Sequence, residues 1–202
     1  MLRRILKPLR VLMFAVAAAA PVGSHAIEIT PVIKAGYDVG GDTVVSVNVG
    51  GSTKTIKAND GFFVGGGASF LSDSKVLEIE VSLSYKFFNI VAQDGDIDWT
   101  LLPLDALVFY HQSNFRVGGG LTYHLNPTVK GRRAASAVNA KYDGAPGIVL
   151  QADYILDKRF NIGLRYTNVG YKLDSSQANS LATPATSPKA SGIGIVLTLV
   201  GF

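Results

Sequence analysis

A histidine and a serine are the first residues of this 202-residue chain that could do chemistry together. His111 and Ser113 stand in the run His-Gln-Ser-Asn, and a serine beside a histidine base can act as a nucleophile. Such a pair needs a third group that orients the histidine, and no glutamate follows Glu80. The same four residues are ordinary turn composition. We therefore expect no catalytic residue here and no enzymatic activity.

The sequence does not indicate a metal or cofactor site. The chain has no cysteine, and its two histidines after the N-terminal segment, His111 and His124, fall at opposite ends of one predicted strand, too far apart to share an ion. The glycine runs 65–67 and 118–120 lack the G-x-G-x-x-G spacing of a nucleotide-binding loop. In strands such glycines make room for bulky neighbours. We predict neither a metal nor a cofactor.

Charge is distributed unevenly along the chain. There are 19 Lys and Arg residues against 15 Asp and Glu, a net charge of +4, and four of the basic residues precede the first acid: Arg3, Arg4, Lys7 and Arg10. An apolar run over 11–20 and the small-x-small sequence Ser-His-Ala follow, so residues 1–26 are predicted to be a signal peptide cleaved after Ala26. The remainder is neutral overall, and no nucleic acid partner is indicated.

Apolar and polar residues alternate along eight segments, which predicts β-strands. The alternation is clearest over 77–87, and the other segments are 29–39, 62–71, 97–110, 115–124, 148–154, 160–167 and 193–199. Bounded by the turns and loops that connect them, these segments predict strands of about 9–13 residues. Soluble strands average ~5–6 residues, whereas strands that cross a bilayer need ~9–11. A charged fraction of only 17% agrees with an exterior that faces lipid.

Short connections alternate with long ones. The short ones are 72–75, 111–114 and 157–159, and the long ones are about 40–61, 88–96, 126–146 and 172–190. Short turns at one end and long loops at the other are typical of a bacterial outer-membrane barrel, with both termini at the short-turn end. Segments 43–49 and 53–58 would raise the strand count to ten. They are too short to span the apolar layer, so we interpret them as a hairpin that extends strands one and two above the membrane.

Aromatic residues cluster at the two ends of the predicted strands. One group falls at the long-loop end: Phe62, Phe63, Tyr85, Phe87, Phe88, Trp99, Tyr123 and Tyr171. The other falls at the short-turn end: Phe70, Phe109, Tyr110, Phe115, Tyr154, Phe160 and Phe202. Two such groups predict the aromatic girdles of a membrane barrel.

The last strand, Ile-Gly-Ile-Val-Leu-Thr-Leu-Val-Gly-Phe over 193–202, resembles the C-terminal signal of outer-membrane proteins, and the segment 115–127 is similar to the fifth-strand region of many small barrels. The mature chain thus resembles the small outer-membrane β-barrels that include the OmpA transmembrane domain and the OmpX-like proteins. The resemblance implies an all-β, eight-stranded antiparallel up-and-down transmembrane barrel over 27–202, monomeric and located in the outer membrane. It also implies assembly by the barrel-assembly machinery through the last strand. Strict alternation would place Phe202 on the luminal face unless a bulge near Gly201 intervenes.

The polar faces of the strands would fill the barrel interior with four cations and four anions: Lys34, Lys86, Arg116, Arg165, Asp38, Glu78, Glu80 and Asp153. Buried charges must be paired, and an eight-stranded barrel is only wide enough for its own side chains. We expect a plugged interior, with both arginines contacting Asp153 from the flanking strands. The function expected is non-enzymatic, either envelope integrity or surface interaction through the loops.

Four alternatives stay open at this point. A path through the luminal charges would make a narrow channel for small solutes or ions. The run at 111–114 is similar to the His-x-Ser-Asn motif of lipid A deacylases, which are barrel enzymes. The predicted loop 126–146 has a basic excess that could bind lipopolysaccharide phosphates, formed by Lys130, Arg132, Arg133 and Lys141 against Asp143. A soluble lipocalin-like barrel would instead turn the apolar faces inward and bind a small apolar ligand.

Overall fold

A computed structural model describes residues 28–49, 52–92, 95–133, 135–136, 138–177 and 183–201. The predicted signal peptide and its cleavage site lie outside the described residues, and so does Phe202. No helix in these ranges is long and apolar enough to cross a membrane.

The described chain is all-β. Its strands are β1 (Glu28–Gly40), β2 (Thr43–Val49), β3 (Ser52–Lys57), β4 (Gly61–Leu71), β5 (Leu77–Ala92), β6 (Gly95–Gln112), β7 (Phe115–Arg133), β8 (Asn139–Tyr142), β9 (Ala145–Ile155), β10 (Phe160–Gly170), β11 (Leu173–Gln177) and β12 (Lys189–Val200). Every pairing between neighbours is antiparallel. The order β1-β4-β5-β6-β7-β9-β10-β12 closes on itself because β12 pairs back with β1, so the predicted eight-stranded barrel is confirmed.

The alternation that predicted the strands separates the outside of the barrel from the lumen. In β10 every second residue is buried, beginning with Asn161, and the apolar residues between them are exposed. The same holds along the other barrel strands, where Leu83, Val117, Leu164 and Ile193 are 47–67% exposed. A soluble protein would not expose such a continuous apolar band. The lipocalin-like arrangement is therefore wrong for this chain, since it would bury these faces.

Three strands are longer than the sequence analysis expected. β5, β6 and β7 have 16, 18 and 19 residues, so much of the predicted loops 88–96 and 126–146 is strand. In β7 the period of two is interrupted because the β6–β7 register shifts between Thr100 and Leu102, opposite Asn126, whose φ is +49°. Such a bulge exchanges the faces of the bulged strand, so a strict period of two no longer applies.

The predicted hairpin in the first long loop is present, but it does not simply lengthen the neighbouring strands. β2 and β3 pair only with each other, in a separate two-stranded sheet. Their residues Val44, Val45 and Ile56 are buried in an apolar cluster at the long-loop end. The hairpin therefore folds over this end, which we call the outer end.

The opposite, inner end has the short turns. Residues 72–76 join β4 to β5, and residues 156–159 join β9 to β10. The remaining short turn, predicted over 111–114, is tighter than expected. His111 and Gln112 are paired strand residues of β6, so only Ser113 and Asn114 form the turn. At the end of β12, Gly201 leaves the strand conformation with a φ of +63°, where a break was predicted.

Glycines on the luminal side leave room for the charged groups of the lumen. A Cβ at Gly163 would overlap Asp153 Oδ1 and would lie 2.8 Å from the Ala152 carbonyl oxygen. A Cβ at Gly194 would overlap Asp38 Oδ1 in the same way. Glycine is therefore needed at these positions because any larger residue would collide with a luminal carboxylate.

The replacement Gly163→Ala tests this role. We expect it to destabilise the folded barrel by about 1–3 kcal/mol, because the methyl group must displace either a paired carboxylate or backbone. Gly170→Ala on the same strand is the matched control, since a Cβ there meets nothing within 4 Å. Urea unfolding in lipid vesicles would measure both. Equal stability of the two variants would contradict the steric role.

Candidate functional site

All eight charged residues that were predicted to face the lumen do so, and each is at most 5% exposed. They form short ion pairs across the barrel. Lys34 Nζ lies 2.7 Å from Glu80 Oε1, and Lys86 Nζ lies 2.8 Å from Asp38 Oδ2. Strands far apart in sequence are thus joined inside the barrel by charge-assisted hydrogen bonds.

Arg116 is the centre of this network. Its Nε donates to Asp153 Oδ2 at 2.7 Å, and its Nη1 donates to Glu78 Oε1 at 2.8 Å and lies 3.2 Å from Glu80 Oε2. The guanidinium also lies over the Phe109 ring, 4.2 Å from the ring centroid. One cation from β7 therefore holds three carboxylates from β5 and β9.

The predicted contact between Arg165 and Asp153 is wrong. Arg165 Nη1 donates to Asp105 Oδ2 of β6 at 2.8 Å, across the lumen. Asp105 is not evident from the sequence because β6 is apolar on both faces near it. Leu107 and Phe109 are buried in the lumen, while Leu104 and Val108 are on the other face. With Asp105 included, five luminal carboxylates face four luminal cations.

Space in this part of the lumen is small. The cavity beside Lys86, Asp105, His124 and Arg165 has a volume of about 10 Å³, about enough for one water molecule. Lys86 Nζ also donates to Asn59 Oδ1 at 3.0 Å, so the segment after β3 reaches into the same network.

Above the charges, an apolar cluster fills the outer end of the barrel. Trp99 is fully buried there, and its ring lies edge-on to Tyr142 and Tyr171, with centroids 5.9 and 5.8 Å away. Side chains from the β2–β3 hairpin complete the cluster. We call this cluster the outer cap; its buried members are Val44, Val45, Ile56, Ala58, Ile90, Ile97, Trp99, Leu101, Val129, Ala135, Val138, Ala140, Tyr142, Ala145, Val169, Tyr171 and Ala190.

A chain segment near the C-terminus lies against the outer cap. The Tyr142 hydroxyl donates to the Ala185 carbonyl at 2.9 Å, and the Ala185 amide donates to the Val44 carbonyl. Burial raises the pKa of Tyr142 to about 12, so the phenol keeps the proton that it donates. The segment around Ala185 thereby ties β8 to the hairpin.

The outer cap corrects part of the predicted aromatic girdles. Five of those residues face the interior: Phe63, Phe88, Phe109, Trp99 and Tyr171. Exposed rings remain at both ends: Phe62, Tyr85 and Phe87 at the outer end, and Tyr110, Phe115, Tyr154 and Phe160 at the inner end. Inward and outward aromatics stand side by side in sequence, as Phe62 and Phe63 do, so position along a strand alone could not separate them.

His111 and Ser113 lie at the inner end of the barrel. The His111 ring nitrogen Nε2 hydrogen-bonds Glu78 Oε2, so a glutamate does meet this histidine, although it comes earlier in the chain than the deacylase motif has it. Ser113 is exposed in the turn, with a φ of 54°, and forms no hydrogen bond with His111 in the described structure. The described residues also contain no group of three or more His, Asp or Glu residues that could hold a metal ion.

The four basic residues of the predicted patch fall into two groups: in the described structure the arginines contact acidic residues, and the lysines do not. Arg132 lies 2.7 Å from Asp98 and Arg133 lies 4.0 Å from Asp96, so both arginines have acidic neighbours on β6. Lys130 and Lys141 are exposed and form no ion pair among the described residues. They line one groove between β7, β8 and β11.

Comparisons with known proteins bear on the fold. No family model matches the chain, and no curated protein matches it. Ail, the attachment invasion locus protein of Yersinia pestis, solved in complex with the heparin analogue sucrose octasulfate, has a TM-score of 0.53 and 13% identity, with 86% of this chain and 98% of that chain covered. Neisserial surface protein A has a TM-score of 0.48 and 10% identity, with 86% and 98% covered. The outer membrane protein AlkL has a TM-score of 0.40 and 18% identity, with 90% and 91% covered.

The closed barrel and the likeness to Ail define the class of protein. The fold is that of the small eight-stranded outer-membrane β-barrels. An apolar outer band with aromatic rings at both ends and a polar lumen suits a bilayer. The chain is an integral β-barrel protein of the bacterial outer membrane.

Proposed function

We propose that this protein is a non-enzymatic, closed barrel that contributes to envelope integrity or holds surface loops for interaction with other molecules. One observation carries the proposal: the lumen is filled, below by ion pairs around Arg116 and above by the outer cap. A rigid, plugged barrel is a stable anchor on which loops can vary. In this proposal the barrel is a monomer, inserted by the barrel-assembly machinery through β12.

The two alternatives have less support. A narrow channel would need a continuous water path, whereas the described lumen beside Arg165 has room for about one water molecule. A lipid A-modifying enzyme would need a nucleophile, base and orienting acid in reach of one another. Here the histidine meets Glu78, but Ser113 forms no hydrogen bond with either residue in the described structure, and all three lie at the inner end of the barrel.

Two measurements test the proposal. Purified barrel in a planar bilayer should show no steady, well-defined conductance, because ions have no open path through the paired charges. Mass spectrometry of lipid A from cells that express the protein should show an unchanged number of acyl chains. Loss of one acyl chain would establish the enzymatic alternative instead.

A further inference from the structure

The outer part of β7, together with β8 and β11, forms a small sheet above the membrane band whose two faces differ. Val129 and Ala140 point into the outer cap and are at most 3% exposed. On the other face, two rows of residues run across the three strands: Thr128, Lys141 and Ser175 in one, and Lys130, Asn139 and Gln177 in the next. Each row has one lysine, accompanied by hydroxyl or amide side chains.

The bulge at Asn126 sets the direction of this face. Below it, even-numbered residues of β7 such as Arg116 and His124 point into the lumen; above it, odd-numbered Val129 points inward, so Lys130 points outward. The rows therefore face sideways, on the same side of the barrel wall as the lipid-facing residues. Lys130 is seven residues beyond Tyr123, about 23 Å farther along the strand at ~3.3 Å per residue.

The face has the composition of an anion site. Lys130 and Lys141 are diagonal neighbours, which places their Cβ atoms about 7–8 Å apart or less. Neither forms an ion pair in the described structure, and Asp98, which is directly opposite Lys130, contacts Arg132. The groove that the two lysines line with Thr128, Ser175 and Gln177 has a volume of about 400 Å³, the size of a small-ligand pocket.

We propose that this groove binds a phosphorylated sugar of lipopolysaccharide in the surrounding outer leaflet. The two lysines would bind the phosphate, and the amides and hydroxyls of the rows would hydrogen-bond the sugar. A sideways-facing site above the membrane band meets the saccharides of neighbouring lipopolysaccharide directly, whereas a site for a soluble ligand has no need of this direction. The inference deepens the proposed function and rests on it, since it supplies the envelope contact that a structural barrel would make.

The test compares two pairs of charge-removing variants of the full chain in detergent micelles. One combines Lys130→Gln with Lys141→Gln; the control combines Lys172→Gln with Lys189→Gln, two exposed lysines outside the groove. Fluorescence anisotropy of labelled lipopolysaccharide would give the affinities. We expect the groove variant to bind about tenfold more weakly or worse, and the control to change by less than about twofold, since two hydrogen bonds to charged groups are lost only in the first.

Two further arms, dephosphorylated lipopolysaccharide and competition by inorganic phosphate, decide the source of the anion. Dephosphorylated lipopolysaccharide should bind the wild-type protein as weakly as intact lipopolysaccharide binds the groove variant. Equal losses in the two variants would overturn the proposal, as would full binding of dephosphorylated lipopolysaccharide or competition by inorganic phosphate at equal concentration. Heat-modifiable gel migration shows whether each variant is folded. Conductance of the wild-type barrel is measured separately, so an open channel would contradict the proposed function without affecting the result for the groove.

Discussion

Arg116→Met should lower the free energy of unfolding by about 3–5 kcal/mol, one of the two largest effects we expect in this protein. The substitution leaves Glu78, Glu80 and Asp153 buried without their shared cation. Lys34 still meets Glu80, but no other cation described here forms an ion pair with Asp153. Urea unfolding in lipid vesicles, followed by far-ultraviolet circular dichroism, would measure the change.

Arg132→Met is the matched control. Arg132 also lies 2.7 Å from an aspartate, but its side chain is 68% exposed, and exposed pairs contribute about 0–1 kcal/mol. The two variants lose the same charge and the same side-chain length. If their stabilities agreed within about 0.5 kcal/mol, the luminal network would not hold the barrel together as described.

Trp99→Ala should also destabilise the protein by about 3–5 kcal/mol, because it removes the largest side chain of the outer cap and leaves a cavity. The effect should appear first at the outer end, as faster proteolysis of the β2–β3 hairpin, which packs on this cluster. Phe62→Ala removes a ring that is 57% exposed to lipid, so lipid chains can fill the space and the cavity contribution is absent. We expect a clearly smaller loss of stability for Phe62→Ala.

Fluorescence locates the same tryptophan independently. The chain has a single tryptophan, so its emission reports on Trp99 alone. Brominated lipids quench tryptophans that face the bilayer, and we expect little quenching here because Trp99 is enclosed by protein. Strong quenching would instead support the girdle position that the sequence suggested, and the outer cap would then be wrong.

The sequence predicted the barrel and much of the luminal charge because both follow from a period of two. Once Leu83 and Leu164 face outward, Lys86 and Arg165 must face inward, whatever the rest of the chain does. The partner of each charge could not be read in the same way, because it depends on shear and side-chain reach across the lumen. Arg165 therefore meets Asp105 rather than Asp153.

The outer cap was beyond sequence reasoning for a different reason. Its members come from segments as distant as Val44, Trp99 and Ala190, and the bulge at Asn126 exchanges the faces of β7 just where the cluster forms. A strict alternation carried past that bulge assigns Val129 and Lys130 to the wrong sides. The groove residues Asn139 and Gln177 gave no signal of their own, since only strand pairing brings them beside Lys130.

The central claim is that the lumen is closed by its own side chains, and conductance tests it most directly. Purified barrel, shown to be folded by its heat-modifiable migration, would be inserted into planar bilayers. A porin inserted into separate bilayers under the same conditions is the positive control for insertion and detection. We predict no steady, well-defined current steps above the bilayer background, because paired charges and the outer cap fill the interior. Reproducible steps of one size, seen with the wild-type protein and absent from mock preparations, would contradict the account.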